Sequence, residues 1–343
     1  MDRRALELRM GRLLLTALVW WGVRRLEVGP DADVAPMAWN RRQLVVAAAQ
    51  WDMHPAHSVG EFTARVTAVM DEAHHVGAAL VVFPEDLGLS LLGLLTRYGG
   101  PRSTGELGAE AVRAYLGTWG PVVAPLFEET FRRAAASYGM VVVAGSSYYR
   151  RRQQVVNQGV VFGPDGRLLL RQPKLHLIAL EETWGVEPGH RFDRPEGLTM
   201  PLGVAICHDA SFFETYRMAE ALGIEVMAVP AADPDPDWSE PKARRGAWAR
   251  TQETGMASVV AAGTGELYGI RFSGKAGIYI PRELTSDMRG VVSESARPDT
   301  EGVVVGSLDL DQLAAFRQEA RPRPSEAAVK AWLFPRYRSL TLS

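Results

Sequence analysis

Residues 203–214 read GVAICHDASFFE. An apolar run leads into Cys207, polar and small residues follow, and a helical pattern opens over residues 212–222. That order suspends the thiol on a strand-to-helix turn, where backbone N–H groups at a helix start can lower a thiol pKa and face a developing oxyanion. Cys207 is the single cysteine of the 343 residues, so the chain can form no internal disulfide, zinc ribbon or iron–sulfur cluster. A buried structural cysteine is the other reading of such a residue. The choice between them depends on what else the chain brings to that turn.

Working outward, short apolar runs alternate with helical stretches. LVVAAAQ (44–50) reads as a buried strand, residues 61–76 as an amphipathic helix, and ALVVFPE (79–85) as a second buried strand stopped by Pro84. Residues 110–138 are mostly helical, with a Gly-Pro break expected at 120–121. MVVVAGSSYYR (140–150) and VVNQGVVFGPDGRLLLRQPK (155–174) read as strands, the latter a hairpin turning at Pro164-Asp165-Gly166. Strands follow at 203–209, 226–231, 258–263, 275–280 and 303–310, with helices at 212–222, 243–255 and from Gln312. Strand–helix alternation combined with hairpins predicts a mixed-sheet α/β (α+β) fold rather than a purely parallel barrel. No linker interrupts this region, so the expectation is a single catalytic-size domain over 41–325. An N-terminal extension and linker (1–40) precedes it, and a tail (326–343) follows.

The composition is that of a globular protein: 47% hydrophobic and 23% charged. Lys plus Arg number 38 and Asp plus Glu 40, a net charge of −2, which argues against a nucleic-acid partner. Cysteine usage points to a reduced, cytoplasmic setting. The run LLLTALVWWGV (13–23) is too short to span a bilayer and lacks a small-residue cleavage site. It reads as a helix packed on the domain or on a subunit partner. A peripheral membrane contact through Trp20 and Trp21, and an uncleaved signal or a misassigned start, are the alternatives.

A thiol nucleophile needs a base. His208 is adjacent, but neighbouring side chains on an extended segment point apart. His176 could pair with Cys207 as in a papain-like dyad. Glu85 closes VVFPE and Lys174 ends GRLLLRQPK, so a Glu, a Lys and a Cys each lie at a strand terminus, where open mixed sheets tend to place active sites.

VVFPE, RQPKLHL and CHDASFFE, in that order, resemble the carbon–nitrogen hydrolase (nitrilase) superfamily in its amidase-like branch. Ala47 to Gln50, Asn157, Pro164-Asp165-Gly166, Gly189, WARTQETG (248–255) and FSGKAGIYIPR (272–282) extend the resemblance across about residues 44–320. It implies a four-layer αββα sandwich of two mixed sheets, a homodimer or higher homo-oligomer, and no cofactor or metal. It further implies a Glu85–Lys174–Cys207 triad hydrolysing small amides or N-carbamoyl compounds through a thioester. Lys174 and the backbone N–H of His208 would hold the oxyanion. An auxiliary glutamate is implied between the lysine and Gly189: counting back from Gly189 favours Glu182, counting on from Lys174 favours Glu181, and the preference is Glu182. Departures from the family pattern are Pro173 before the lysine, His208 after the cysteine, and Thr254 and Ala276 for Asn and Ser.

Two other motifs carry less. GIRFSGK (269–275) has the spacing of a phosphate loop but lacks the hydroxyl residue that would hold Mg²⁺, since Ala276 follows. His54, His57, His74 and His75 have no accompanying ligand set. Nitrile hydrolysis and acyl transfer by the same triad, and a catalytically silent binding protein on the same fold, remain the competing functions.

Overall fold

Alternate side chains of strand β1 (Leu44–Met53) enter different cores. Leu44, Val46 and Ala48 join one apolar cluster, while Ala47, Ala49 and Trp51 join another. The computed structural model describes residues 16, 17, 19–24, 26–29, 34–98 and 109–319. In chain order these hold α1 (Val59–His75), β2 (Leu80–Val82), α2 (Ala109–Tyr138), β3 (Val141–Arg151), β4 (Gln154–Phe162), β5 (Leu168–Pro173) and α3 (Ala179–Thr183). Then come β6 (Leu202–Val204), α4 (Phe213–Ala221), β7 (Val226–Ala231), α5 (Ala249–Thr254), β8 (Ala257–Leu267), β9 (Ile270–Phe272), β10 (Gly277–Tyr279), β11 (Val291–Glu294), β12 (Gly302–Leu308) and α6 (Leu310–Glu319).

The ladder is continuous but folds into two sheets. One runs β12-β1-β2-β3-β4-β5 and the other β6-β7-β8-β10-β11, with β9 hairpinned onto β8. They join where Gln50–Met53 of β1 pairs in parallel with Ala262–Gly265 of β8. Three cores define the layers. Val46, Val82, Val143, Val204, Ala228 and Val259 fill the space between the sheets. Val81, Val142 and Val160 pack with Phe62, Val66, Phe127 and Phe131 of α1 and α2 on one outer face. Met227 and Val229 pack with Tyr216 and Ala219 of α4 on the other. The result is a four-layer αββα arrangement of two mixed sheets. Near-continuous apolar strands are the expected pattern when both faces of a sheet are covered.

Local chemistry explains the element ends. The Ser58 hydroxyl caps α1 by accepting from Glu61 N at 3.1 Å, while Glu61 Oε2 accepts from His57 N at 2.9 Å. Gly166, at φ 75, turns the β4–β5 hairpin, and Gly163 N donates to Arg167 O at 2.8 Å.

The break expected at Gly120-Pro121 is absent: α2 continues through Pro121 and Pro125. A proline inside a helix costs about 3 kcal/mol. Here burial of Trp119, Val123, Leu126, Phe127 and Phe131 outweighs that cost. Gly120 lets the helix approach β3, since a Cβ there would lie 2.5 Å from the Tyr148 carbonyl oxygen. The helix expected over 243–255 is instead kinked at Gly246, whose φ and ψ are −88° and −126°.

The described part of the N-terminal segment packs on the domain. Val19, Leu26 and Val28 are buried, and Arg133 of α2 donates to the carbonyls of Val23 (3.1 Å) and Leu26. Trp20 and Trp21 are more than half exposed, and Arg24 lies over the Trp20 ring at 3.6 Å. No described helix is long and apolar enough to cross a membrane. Residues 1–15 and the 326–343 tail lie outside the described residues.

Candidate active site

Glu85 follows the end of β2. Phe83 N donates to Val143 O at 2.9 Å, Pro84 ends the ladder, and the chain then turns. The turn is crowded: Gly145, at φ 77, lies against the Pro84 carbonyl, which any Cβ would overlap. A register shift between Val143 and Ser146 marks the bulge that this contact produces. Glu85 is only 2% exposed.

Lys174 lies just past β5, and its N–H donates to Asn157 O at 2.9 Å. Pro173 opposes Gln158 in the ladder, and among the described strands β5 pairs only with β4. An edge strand tolerates the missing N–H, so Pro173 does not disturb the lysine's placement. Lys174 Nζ, 1% exposed, lies 2.7 Å from Glu85 Oε1 and 2.7 Å from Glu181 Oε2. Asn157 Nδ2 donates to Glu85 Oε1 at 2.8 Å and to Glu181 Oε1 at 2.9 Å, closing the group.

The structure brings Glu181, and not the preferred Glu182, to the lysine. In α3 the Glu181 carboxylate turns back to accept from Ile178 N at 3.0 Å, which aims it inward. Glu182 lies one residue further round the helix and is exposed.

Cys207 stands at the mouth of a short 3₁₀ turn (Cys207–Ser211) with φ 44, a left-handed conformation unusual for a residue with a side chain. It keeps partial exposure, and its thiol lies close enough to Glu85 and Lys174 for their charges to act on it. Buried Asp209 fixes the turn. Its carboxylate accepts from Ile206 N (3.1 Å), Leu175 N (3.0 Å) and His176 N (2.7 Å), tying the cysteine turn to the residues after Lys174. His176 Nδ1 also bonds Asp209 at 3.0 Å, and its ring stacks on Phe212 at 4.0 Å. His176 is thus engaged with Asp209, whereas the groups acting most strongly on the thiol are Glu85, Lys174 and Asp233. The His208 ring meets Phe212 edge-on at 5.0 Å; burial and the Lys174 charge push its pKa down, so it is neutral at neutral pH.

The electrostatics follow from burial. Burial pushes the Cys207 thiol well up, and the Glu85 charge adds to this against Lys174. Burial also raises Glu85, against the pull of Lys174. For Lys174, burial works against the charge, but Glu85, Cys207 and Glu181 outweigh it and hold the ammonium protonated. At rest the site holds a protonated thiol beside a carboxylate able to take its proton.

A cleft opens onto this group. Glu85, Lys174 and Glu181 line it together with Asp86, Tyr148, Ala232 and apolar walls. Ala232 also contacts the Cys207 sulfur through its backbone. Asn157, Asp86 and Tyr148 went unassigned as site residues in the sequence. Asn157 had a signal, its place in the hairpin pattern; Asp86 had only its position after Glu85, and Tyr148 had none. Among the described residues no three His, Cys, Asp or Glu side chains are grouped to hold a metal ion, and Lys275 of the phosphate-loop-like stretch lies over the Trp238 ring at 4.7 Å.

The model of the carbon–nitrogen hydrolase family matches residues 45–318. The chain belongs to that family. It is 25% identical over 283 residues to a probable hydrolase, YhcX, of Bacillus subtilis (strain 168), covering 80% of this chain and 51% of that protein. It is 32% identical over 166 residues to an (R)-stereoselective amidase of a Pseudomonas species, covering 48% and 56%. The chain spans about half the length of these relatives. In fold it resembles a mutant of the amidase from Nesterenkonia sp. AN1, with a TM-score of 0.60 at 20% identity, over 88% of this chain and 100% of that one.

Proposed function

We propose that this protein hydrolyses a non-peptide carbon–nitrogen bond, in a small amide or N-carbamoyl compound, through a thioester on Cys207. The observation that carries this reading is one lysine ammonium held 2.7 Å from each of two buried carboxylates beside a cysteine in a left-handed turn. Glu85 takes the thiol proton as Sγ attacks the carbonyl carbon. Lys174 and the His208 backbone N–H stabilise the oxyanion. Collapse expels the amine or ammonia, which leaves with the proton held by Glu85. Glu85 then deprotonates a water that attacks the thioester, and the acid product departs as the thiol is restored. Glu181 and Asn157 keep Lys174 and Glu85 in register. Kinship with amidases supports the amide reading.

In the Nesterenkonia amidase mutant the acetamide moiety of fluoroacetamide adds covalently at the active site cysteine, which makes fluoroacetamide a suitable probe. Intact-mass measurement after incubation with fluoroacetamide, and with a panel of amides, nitriles and N-carbamoyl compounds, is expected to show an adduct that Cys207→Ala abolishes. Turnover is expected to be fastest with amides or N-carbamoyl compounds. Parent-like turnover by Glu85→Gln would sink the assignment, and a Cys207 that no compound labels would favour a binding protein. A rate abolished in His176→Ala and kept in Glu85→Gln would favour the papain-like dyad.

A further inference from the structure

Asp86 follows Glu85 directly, and in an extended strand their side chains would leave on opposite faces. Asp86 instead adopts a left-handed conformation (φ 64), which Asp tolerates better than most residues, and both carboxyls line the same cleft. The Oδ1 atom of Asp86 is shielded from solvent and has no hydrogen-bond partner among the described residues. The same holds for the hydroxyl of Tyr148, a residue 1% exposed on the same cleft wall. Tyr148 and Asp86 stand close enough to act on each other's ionisation, yet the approach forms no well-aligned hydrogen bond, so Asp86 Oδ1 and the Tyr148 hydroxyl are at most loosely paired. Buried polar atoms are nearly always satisfied, so this pair calls for a ligand atom.

The charge balance indicates which kind. Glu85, Asp86 and Glu181 line the cleft with one cation, Lys174. Burial and the neighbouring carboxylates disfavour the ionised form of Asp86, so an arriving cation would offset the excess of carboxyls and favour its ionisation, whereas an arriving anion would oppose it. The remaining wall, including Leu89, Leu116, Trp184, Leu267 and Phe272, is apolar.

We propose that Asp86, with Tyr148, receives the protonated amino group of the substrate, so that the site prefers apolar amides bearing an ammonium over neutral or anionic ones of equal length. This rests on the hydrolase reading above and names its substrate class. A water molecule satisfying the two orphan atoms would give no such preference.

The test compares kcat/KM for hexanamide, 6-aminohexanamide and the monoamide of adipic acid, with the corresponding four-carbon set guarding against a mismatch of length. The parent is expected to favour the amine over the neutral amide at least tenfold, with the anionic amide slowest. Asp86→Asn should collapse that ratio towards one, chiefly through KM, and Tyr148→Phe should reduce it. Equal kcat/KM for amine and neutral amide in the parent, or a ratio preserved in Asp86→Asn, overturns the proposal. The parent ratio decides the matter even if a variant does not fold. Fluoroacetamide labelling of Cys207, which needs no amine, runs in parallel. Labelling with turnover but no amine preference overturns this inference alone, while no labelling and no turnover of any amide overturns the hydrolase reading and this inference with it.

Discussion

The ammonium of Lys174 lies 2.7 Å from Oε1 of Glu85, with both residues almost wholly removed from water. The same cation serves Glu181. Removing it leaves two buried carboxylates uncompensated, and breaking a buried pair from one side costs about 3–5 kcal/mol. Lys174→Met is expected to lose turnover and to show a markedly lower urea midpoint. Glu85→Gln keeps the Lys174–Glu181 pair, so it should lose about 10²–10⁴-fold in rate with a much smaller stability change. Equal midpoints for Lys174→Met and the parent would contradict this account.

Glu181 and Glu182 are neighbours with opposite fates, one buried on Lys174 and the other exposed. Glu181→Gln is expected to lower kcat/KM by about 10–100-fold, because it weakens the hold on Lys174, which in the proposed mechanism stabilises the oxyanion. Glu182→Gln should stay within about twofold, since exposed substitutions away from special features change little. Steady-state kinetics of the two variants side by side decides the point, and the reverse ranking would overturn it.

Burial raises Glu85 above its ordinary value of 4.5, and as the proposed base it must be ionised to accept the thiol proton. Activity should therefore rise with pH through a midpoint above 4.5. Lys174 is held well above 10.5, so its deprotonation should cause no alkaline loss below roughly pH 9. The limb belongs to the coupled cluster rather than to one carboxyl. A kcat/KM profile with its acid midpoint at or below 4.5 would count against Glu85 as the base.

Asp209 accepts three backbone N–H bonds that join the Cys207 turn to the segment after Lys174. Hydrogen bonds to a charged group are worth about 1.5–3 kcal/mol each. Asp209→Ala is expected to lower stability by about 3 kcal/mol or more and, on the proposed mechanism, to reduce kcat more than KM, since Cys207 and Lys174 lose their common anchor. A stable variant with parent kcat would show that the bracket is dispensable.

Burial, with the charges of Glu85 and Glu181, raises Asp86 well above 3.8 in the folded protein. The unfolded chain releases this proton first, near pH 3.9, so the stability that Asp86 contributes below that pH is lost as pH rises towards the folded value. Asp86→Asn removes the titration. Its Tm relative to the parent should climb between pH 4 and 8, and a difference constant across that range would refute the shift.

Much of the site was legible because its motifs are local. A strand end carries Glu85 in FPE, another carries Lys174 in PKLHL, and the turn carries Cys207 with Asp209 in CHD; each is set by consecutive residues and their backbone geometry. The apolar runs of β1, β2, β7 and β8 likewise announced sheets covered on both faces. What they could not specify was which cover lay on which face. Alternate residues of β1 enter two cores made from strands and helices far away in the chain. The same distance hid what the Asn157 side chain does: its place in the hairpin was legible, but its side-chain partners are 72 and 24 residues away. It also hid the unbroken α2, where packing on the sheet overrides Gly120-Pro121. Counting could not separate Glu181 from Glu182, because the phase of a one-turn helix depends on where its first residue is anchored. The sequence by itself thus determined the family and singled out Cys207, Glu85 and Lys174 as the candidates for its chemistry, all written in short-range patterns. Only the tertiary structure decided which glutamate meets Lys174, and that Asp86 and Tyr148 share the cleft with them, because burial and convergence arise from packing between segments that are remote in the chain.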